Sequence, residues 1–212
     1  MIINWYGEGC FKIQTGGLSI LTDPFESTTG LTPARGKNEI ILKTLTGWPM
    51  EIEGGKDKGE GAEGQVIRGA GEYEAKEILV SGYSLPDESA DAFFKTAYKV
   101  TAEEITLGFL GHLSEGLSQE AVEKMRDVDI LFIPAGGKPF ISAEAAAKLI
   151  KQLDPKLIVA SFFKTPGLKR NSSDWKNLSD ELDLKPEILE KLTVRKKEIT
   201  EQKGKKLIVL KI

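Results

Sequence analysis

The chain has 212 residues, 40% of them hydrophobic and 29% charged, enough to bury one sizeable core or two small ones. Its formal net charge of −3 offers no basic excess for nucleic acid, and no window approaches the ~20 apolar residues that a membrane span needs. A single cysteine, Cys10, excludes an intrachain disulfide framework and any CxxC metal knuckle, and a single histidine, His112, limits imidazole chemistry. The opening "MIINWYGEGC" has no basic segment leading into a long apolar run, so a cytoplasmic protein is expected.

Taken in chain order, "MIINWY", "CFKIQTG" and "LSILTDPF" read as strands, with the glycine pair of "TGG" marking a tight hairpin. "NEIILKTL" is the next apolar run. Residues 53–64, "EGGKDKGEGAEG", are dense in glycine and charge and predict an exposed loop. "QVIRG", "EYEAKEILVSGY" and "AFFKTAYKV" read as further strands, the second with a period of two. Beyond residue 100 the pattern changes. "EITLGFLG", "DILFIPAGG" and "PKLIVASFF" are buried-strand runs. Between them "SQEAVEKMRDV", capped by Ser118, and "SAEAAAKLIKQLD", capped by Ser142, predict helices. The second carries an apolar stripe of Ala146, Leu149, Ile150 and Leu153. A short helix within "SDELDLKPEILEKL" and a strand over "KKLIVLKI" close the chain. Hairpins followed by alternating strands and helices predict an α/β fold with a helix-covered sheet.

Several stretches, in order, resemble the metallo-β-lactamase fold, and within it a branch of metal-dependent hydrolases that opens "WxGHSCFxI". They are "WYGEGCFKI" at 5–13, "ILTDPF" at 20–25, "GAGEYEAKE" at 69–77 and "LGFLGH" at 107–112. "DVDILFIPAGG" at 127–137, "FFKTPG" at 162–167 and "LTVRK" at 192–196 complete the set. The resemblance implies a four-layer αββα sandwich, two mixed sheets face to face with helices outside. It implies one domain over residues 1–212, built from two similar sheet-plus-helix halves, roughly 1–100 and 101–212.

The family's HxHxDH metal motif, placed on this chain, falls on "LTGWPM", residues 45–50. Its ligand positions become Leu45, Gly47, Pro49 and Met50; the bridging aspartate becomes Phe109 and the last ligand histidine Phe162. Only the Met50 thioether among these carries a donor atom, whereas zinc takes imidazole, thiolate or carboxylate. The resemblance therefore implies a member without the dinuclear site and without a zinc cofactor: a pseudoenzyme acting as a binding, scaffold or assembly module. A homo-oligomer or a protein partner would suit that role. The alternative is a hydrolase working through Asp23 and His112, with Glu8, Glu72, Lys164 and Trp48 as further pocket residues. In that reading Glu8, Asp23, Glu72 and Glu74 would converge on a divalent cation.

Each residue also has a plainer reading. His112 can be a simple turn residue, and Asp23 can cap the turn it makes with Pro24. Cys10, with no base partner in the pattern, reads as a buried inert thiol. Trp48 is either an exposed anchor for a partner or part of a filled cleft.

Overall fold

A computed structural model describes residues 1–48 and 62–212. Most of the expected loop at 53–64, and with it Pro49 and Met50, lies outside the described residues.

Strands β1 (Ile2–Gly7), β2 (Cys10–Thr15) and β3 (Leu18–Thr22) form an antiparallel meander. Gly16 and Gly17 turn β2 into β3 with φ of +56° and +78°, the left-handed pair that a two-residue hairpin requires. Next come β4 (Gly36–Lys43), β5 (Leu45–Gly47) and β6 (Ala62–Arg68). A second meander follows in β7 (Gly71–Ala75), β8 (Ile78–Ser84), β9 (Phe93–Ala102) and β10 (Ile105–Phe109). Helix α1 (Gln119–Met125), β11 (Ile130–Pro134), α2 (Ala143–Leu153) and β12 (Leu157–Ser161) then alternate. The chain ends with α3 (Lys176–Leu182), β13 (Glu187–Leu189), β14 (Leu192–Thr193), α4 (Lys196–Glu201) and β15 (Lys206–Leu210).

One sheet runs β14-β1-β2-β3-β4-β6 and the other β13-β15-β12-β11-β10-β9-β8-β7, with β5 paired to β9. Both are mixed: β3, β4 and β6 run parallel, as do β10, β11, β12, β15 and β13, and the remaining pairs are antiparallel. The chain is thus an α/β sandwich of two mixed sheets, the expected class. The expected halves differ in extent. Strands change sheet between Arg68 and Gly71, β5 reaches across early and β14 returns late, so no division falls near residue 100. The run "EYEAKEILVSGY" is two strands, because Lys76 takes φ +58° and Ala75 pairs with Ile78 across a two-residue turn.

The sheets pack face to face. Phe11 of β2 meets Phe132 of β11 with ring centroids 4.7 Å apart, and Trp5 of β1 stacks on Phe163, just past β12, at 4.6 Å. α2 adds its predicted stripe to this core, and Ser118 and Ser142 accept hydrogen bonds from the Ala121 and Ala145 amides at 3.3 and 3.2 Å as caps. The alternate face of the first sheet, Cys10, Leu21 and Ile41, packs with Phe25 and Ala34 of the segment 24–35. Among the described residues that segment, rather than an α-helix, covers this face. No described helix is long and apolar enough to cross a membrane.

Candidate functional site

In parallel sheets, ligands bind beyond the carboxyl ends of the strands. Here those ends converge from both sheets. Asp23 follows β3, Lys43 ends β4, Thr44 follows it, His112 lies beyond β10 and Phe162 follows β12. Asp23, Lys43, His112 and Phe162, with the β1–β2 turn and Arg170, surround a cleft of about 380 Å³, whose walls also include Glu8, Leu45 and Phe140, while Thr44 stands behind them.

Glu8 occupies the tight turn between Gly7 and Cys10 with φ +50°. Its carbonyl accepts hydrogen bonds from the Trp5 indole at 3.0 Å and the Phe162 amide at 3.1 Å, which hold the left-handed conformation. Its carboxylate accepts two bonds from Arg170, Nε to Oε1 at 3.0 Å and Nη2 to Oε2 at 2.8 Å. Arg170 also donates to the Phe162 carbonyl at 2.9 Å and lies over the Phe140 ring at 4.9 Å. This is the two-point carboxylate geometry that arginine favours, with its flat face on an aromatic ring.

Asp23, at φ +37°, donates its own amide to the Leu42 carbonyl. Its two carboxylate oxygens accept from the amide and the hydroxyl of Thr44, both at 2.7 Å. The same hydroxyl lies 2.8 Å from His112 Nδ1. Burial lowers the pKa of His112 below its ordinary 6.5; Asp23 works against that shift and Lys95 with it. Burial thus favours the neutral ring. Its edge meets Phe162 at 4.8 Å, and Phe140 packs on Phe162 at 4.4 Å.

Phe162 sits where the resemblance expects a ligating histidine. Its ring lies so close to the β1–β2 turn that a Cβ on Gly9 would come within 2.5 Å of it. Leu45, on β5, also lines the cleft, whereas Gly47 does not. Phe109, at the bridging-aspartate position, does not line the cleft: it is buried in the core and stacks on Phe132 at 4.5 Å. A cleft thus persists beside Phe162. The residues at the described positions do not fit a zinc pair, since Leu45, Gly47, Phe109 and Phe162 offer no imidazole, thiolate or carboxylate. Among the described residues, no three His, Cys, Asp or Glu side chains are gathered around one point.

Of the expected pocket residues, Glu8, Asp23 and His112 are brought together. Glu72, Glu74, Lys164 and Trp48 do not line this cleft. Glu72 and Glu74 lie on β7, the outermost strand of its sheet, and Glu72 accepts from the Ser81 hydroxyl at 2.6 Å. The convergence of four carboxylates therefore fails, because β7 lies several strands away from β10 and β12. Lys164 is exposed on the loop after β12, and Trp48 is 58% exposed with its ring against Phe94. Cys10 is fully buried; burial, with Asp23 adding and Lys43 opposing, raises its thiol pKa far above the ordinary value, as befits an inert thiol. Sequence reasoning missed Thr44, Phe140 and Arg170. Thr44 follows a parallel strand, which is a usable signal. Arg170 pairs with a residue 162 positions away, and nothing local marks it.

A family model described as the β-lactamase superfamily domain matches residues 2–161. A UPF0173 protein of Pyrococcus abyssi is 26% identical over 197 residues, covering 79% of this chain and 85% of its own. A UPF0173 metal-dependent hydrolase of Lysinibacillus sphaericus is 25% identical over 206 residues, covering 78% and 86%. Among solved structures, a Thermotoga maritima protein described as a candidate Zn-dependent hydrolase of the metallo-β-lactamase superfamily superposes with a TM-score of 0.79. It is 21% identical, with all of both chains covered. The metallo-β-lactamase fold protein YhfI of Bacillus subtilis reaches a TM-score of 0.61 at 10% identity, covering 99% and 96%. With three-quarters of its length under that family model, and with two mixed sheets opening onto a cleft at their strand ends, this chain belongs to the β-lactamase superfamily.

Proposed function

We propose that the cleft of this chain is a ligand-binding site that works without a metal pair, and that the protein serves as a non-catalytic binding or assembly module. The observation that carries this reading is the Phe162 ring, seated against Gly9 and His112 at the position where the family pattern puts a ligating imidazole. Leu45 presents a second carbon surface to the same space. A cluster of buried ligands deprived of its metal would be costly, and hydrophobic side chains remove that cost.

A second reading is favoured by the metal-dependent hydrolase names of the relatives and by the meeting of Glu8, Asp23 and His112 in one cleft. In it the chain is a hydrolase of the superfamily with an atypical carboxylate and His112 site. Elemental analysis and thermal melts with chelator, zinc, magnesium and calcium separate the two. A ligand that binds only the native state raises its stability, by about 2.7 kcal/mol at a hundredfold excess over Kd, and with it the melting midpoint. The first reading expects substoichiometric metal and melts that coincide under all additions. Stoichiometric metal, or a midpoint that falls with chelator and returns with one cation, establishes the second.

A further inference from the structure

His112 is the only histidine of the chain, and its two ring nitrogens meet different surroundings. Nδ1 faces the Thr44 hydroxyl at 2.8 Å. That hydroxyl has one proton to give and two neighbours to satisfy. The Asp23 carboxylate oxygen at 2.7 Å can only accept, so the Thr44 proton goes there and Thr44 Oγ1 accepts from the ring. Had Nδ1 been the acceptor, two oxygens would face each other at 2.7 Å with no proton between them. We propose that the Asp23–Thr44–His112 chain locks His112 as its Nδ1–H tautomer and presents Nε2 to the cleft as a bare acceptor, so that the cleft takes a small neutral ligand bearing an O–H or N–H donor in preference to an anion. The ligand choice rests on the reading of the cleft as a metal-free binding site; the tautomer does not.

Three further observations support it. Nε2 makes no hydrogen bond to any described residue, although His112 lines the cleft. The group that would recognise an anion is already engaged: the Arg170 fork is held by both oxygens of Glu8 and by the Phe162 carbonyl. Lys43 turns to the Pro24 carbonyl at 3.3 Å. Beside the ring stand Phe140 and Phe162, and Phe25 and Leu45 add further carbon to the cleft wall, which suits an apolar body behind the donor. Gly111 shows how closely the chain is built: a Cβ there would lie 2.0 Å from Thr44 Oγ1. Thr44 is thus a positioning residue, acting through the ring it orients.

Nitrogen NMR of the full chain labelled at histidine tests this with one pair of ring signals. The expected result is a protonated Nδ1 and a bare Nε2. Phenol should move the Nε2 signal at concentrations about tenfold lower than benzoate, the equivalent of one neutral hydrogen bond. Thr44→Val, similar in shape but without the hydroxyl, should give a mixed-tautomer spectrum, and Thr44→Ser should return the wild-type one. A protonated Nε2 in the wild type, an unchanged Thr44→Val spectrum, or benzoate titrating as readily as phenol overturns the proposal. If Thr44→Val does not fold, the wild-type and Thr44→Ser spectra decide. Stoichiometric zinc arriving at Nε2 would overturn the metal-free reading of the cleft, and with it the ligand choice, while the tautomer stands.

Discussion

Gly111 sits at φ +50° between β10 and His112, with the Thr44 side chain packed against its Cα. An alanine there would be strained twice, by its backbone conformation and by a Cβ within 2.2 Å of Thr44 Cβ. Gly111→Ala should therefore destabilise the protein by about 2 to 4 kcal/mol in urea unfolding. In a Thr44→Gly background the cost should fall to the backbone share alone, about 1 kcal/mol, because the overlapping atoms are gone. Equal costs in both backgrounds would mean that the contact with Thr44 is not what fixes this glycine. At this scale the sequence was legible where a motif named the residue. Glu8, Asp23 and His112 each stand in a matched stretch, and they meet in the cleft. Thr44 and Arg170 stand outside any motif, and their partners are set by the fold: His112 is 68 residues from Thr44, and Glu8 is 162 from Arg170.

At the scale of the element, the loop after His112 owes its shape to a carboxylate from another part of the chain. Glu88 ends a short 3-10 turn, Pro86–Glu88, before β9. It accepts the amides of Ser114, Glu115 and Gly116 at 2.8, 2.6 and 3.0 Å and the Lys95 ammonium at 2.9 Å. Burial alone would raise its pKa. Lys95 and the three amides outweigh burial and bring it from 4.5 down to about 2. A carboxyl lowered by folding stabilises the fold above its unfolded value, and that contribution is lost as pH falls through the folded value. Glu88→Gln leaves Lys95, itself nearly buried, without a counter-charge and should cost about 3 kcal/mol at pH 6. The gap between wild type and variant should shrink as pH falls from 4.5 towards 2, measured by urea midpoints. A gap that stays constant over that range would show that the charge of Glu88 is not what holds the loop. Helices and hairpins with chemical signals were readable from the sequence: the Ser118 and Ser142 caps and the Gly16–Gly17 turn all stand as expected. The β7–β8 turn was not, because its only local mark is the charged pair Lys76–Glu77, and no glycine or asparagine betrays the positive φ of Lys76.

For the molecule as a whole, the matched stretches announced the two sheets, yet the route between them was hidden. β5 leaves the first sheet to pair with β9, a long-range pairing with no trace in local pattern. The same holds for what closes the sheets over the cleft. The β1–β2 turn of one sheet and the end of β12 in the other are stitched by four hydrogen bonds: the Phe162 amide to the Glu8 carbonyl, Arg170 to the Phe162 carbonyl, and the two of the Arg170 fork to the Glu8 carboxylate. Glu8 and Arg170 are only 12% and 26% exposed at their side chains, so solvent screens the pair less than a surface one. Arg170→Ala should cost about 1 to 3 kcal/mol, since it strands the Glu8 carboxylate and the Phe162 carbonyl at once. Arg170→Lys should recover less than half, because an ammonium cannot reproduce the two-point contact. A double-mutant cycle with Glu8→Ala should give a coupling of about 1 kcal/mol or more, and hydrogen exchange at the Phe162 amide should quicken in Arg170→Ala. If the couplings vanish while exchange is unchanged, Phe162 is held by its packing against Gly9, Phe140 and His112 alone, and the cleft owes its shape to the aromatic rings rather than to the ion pair.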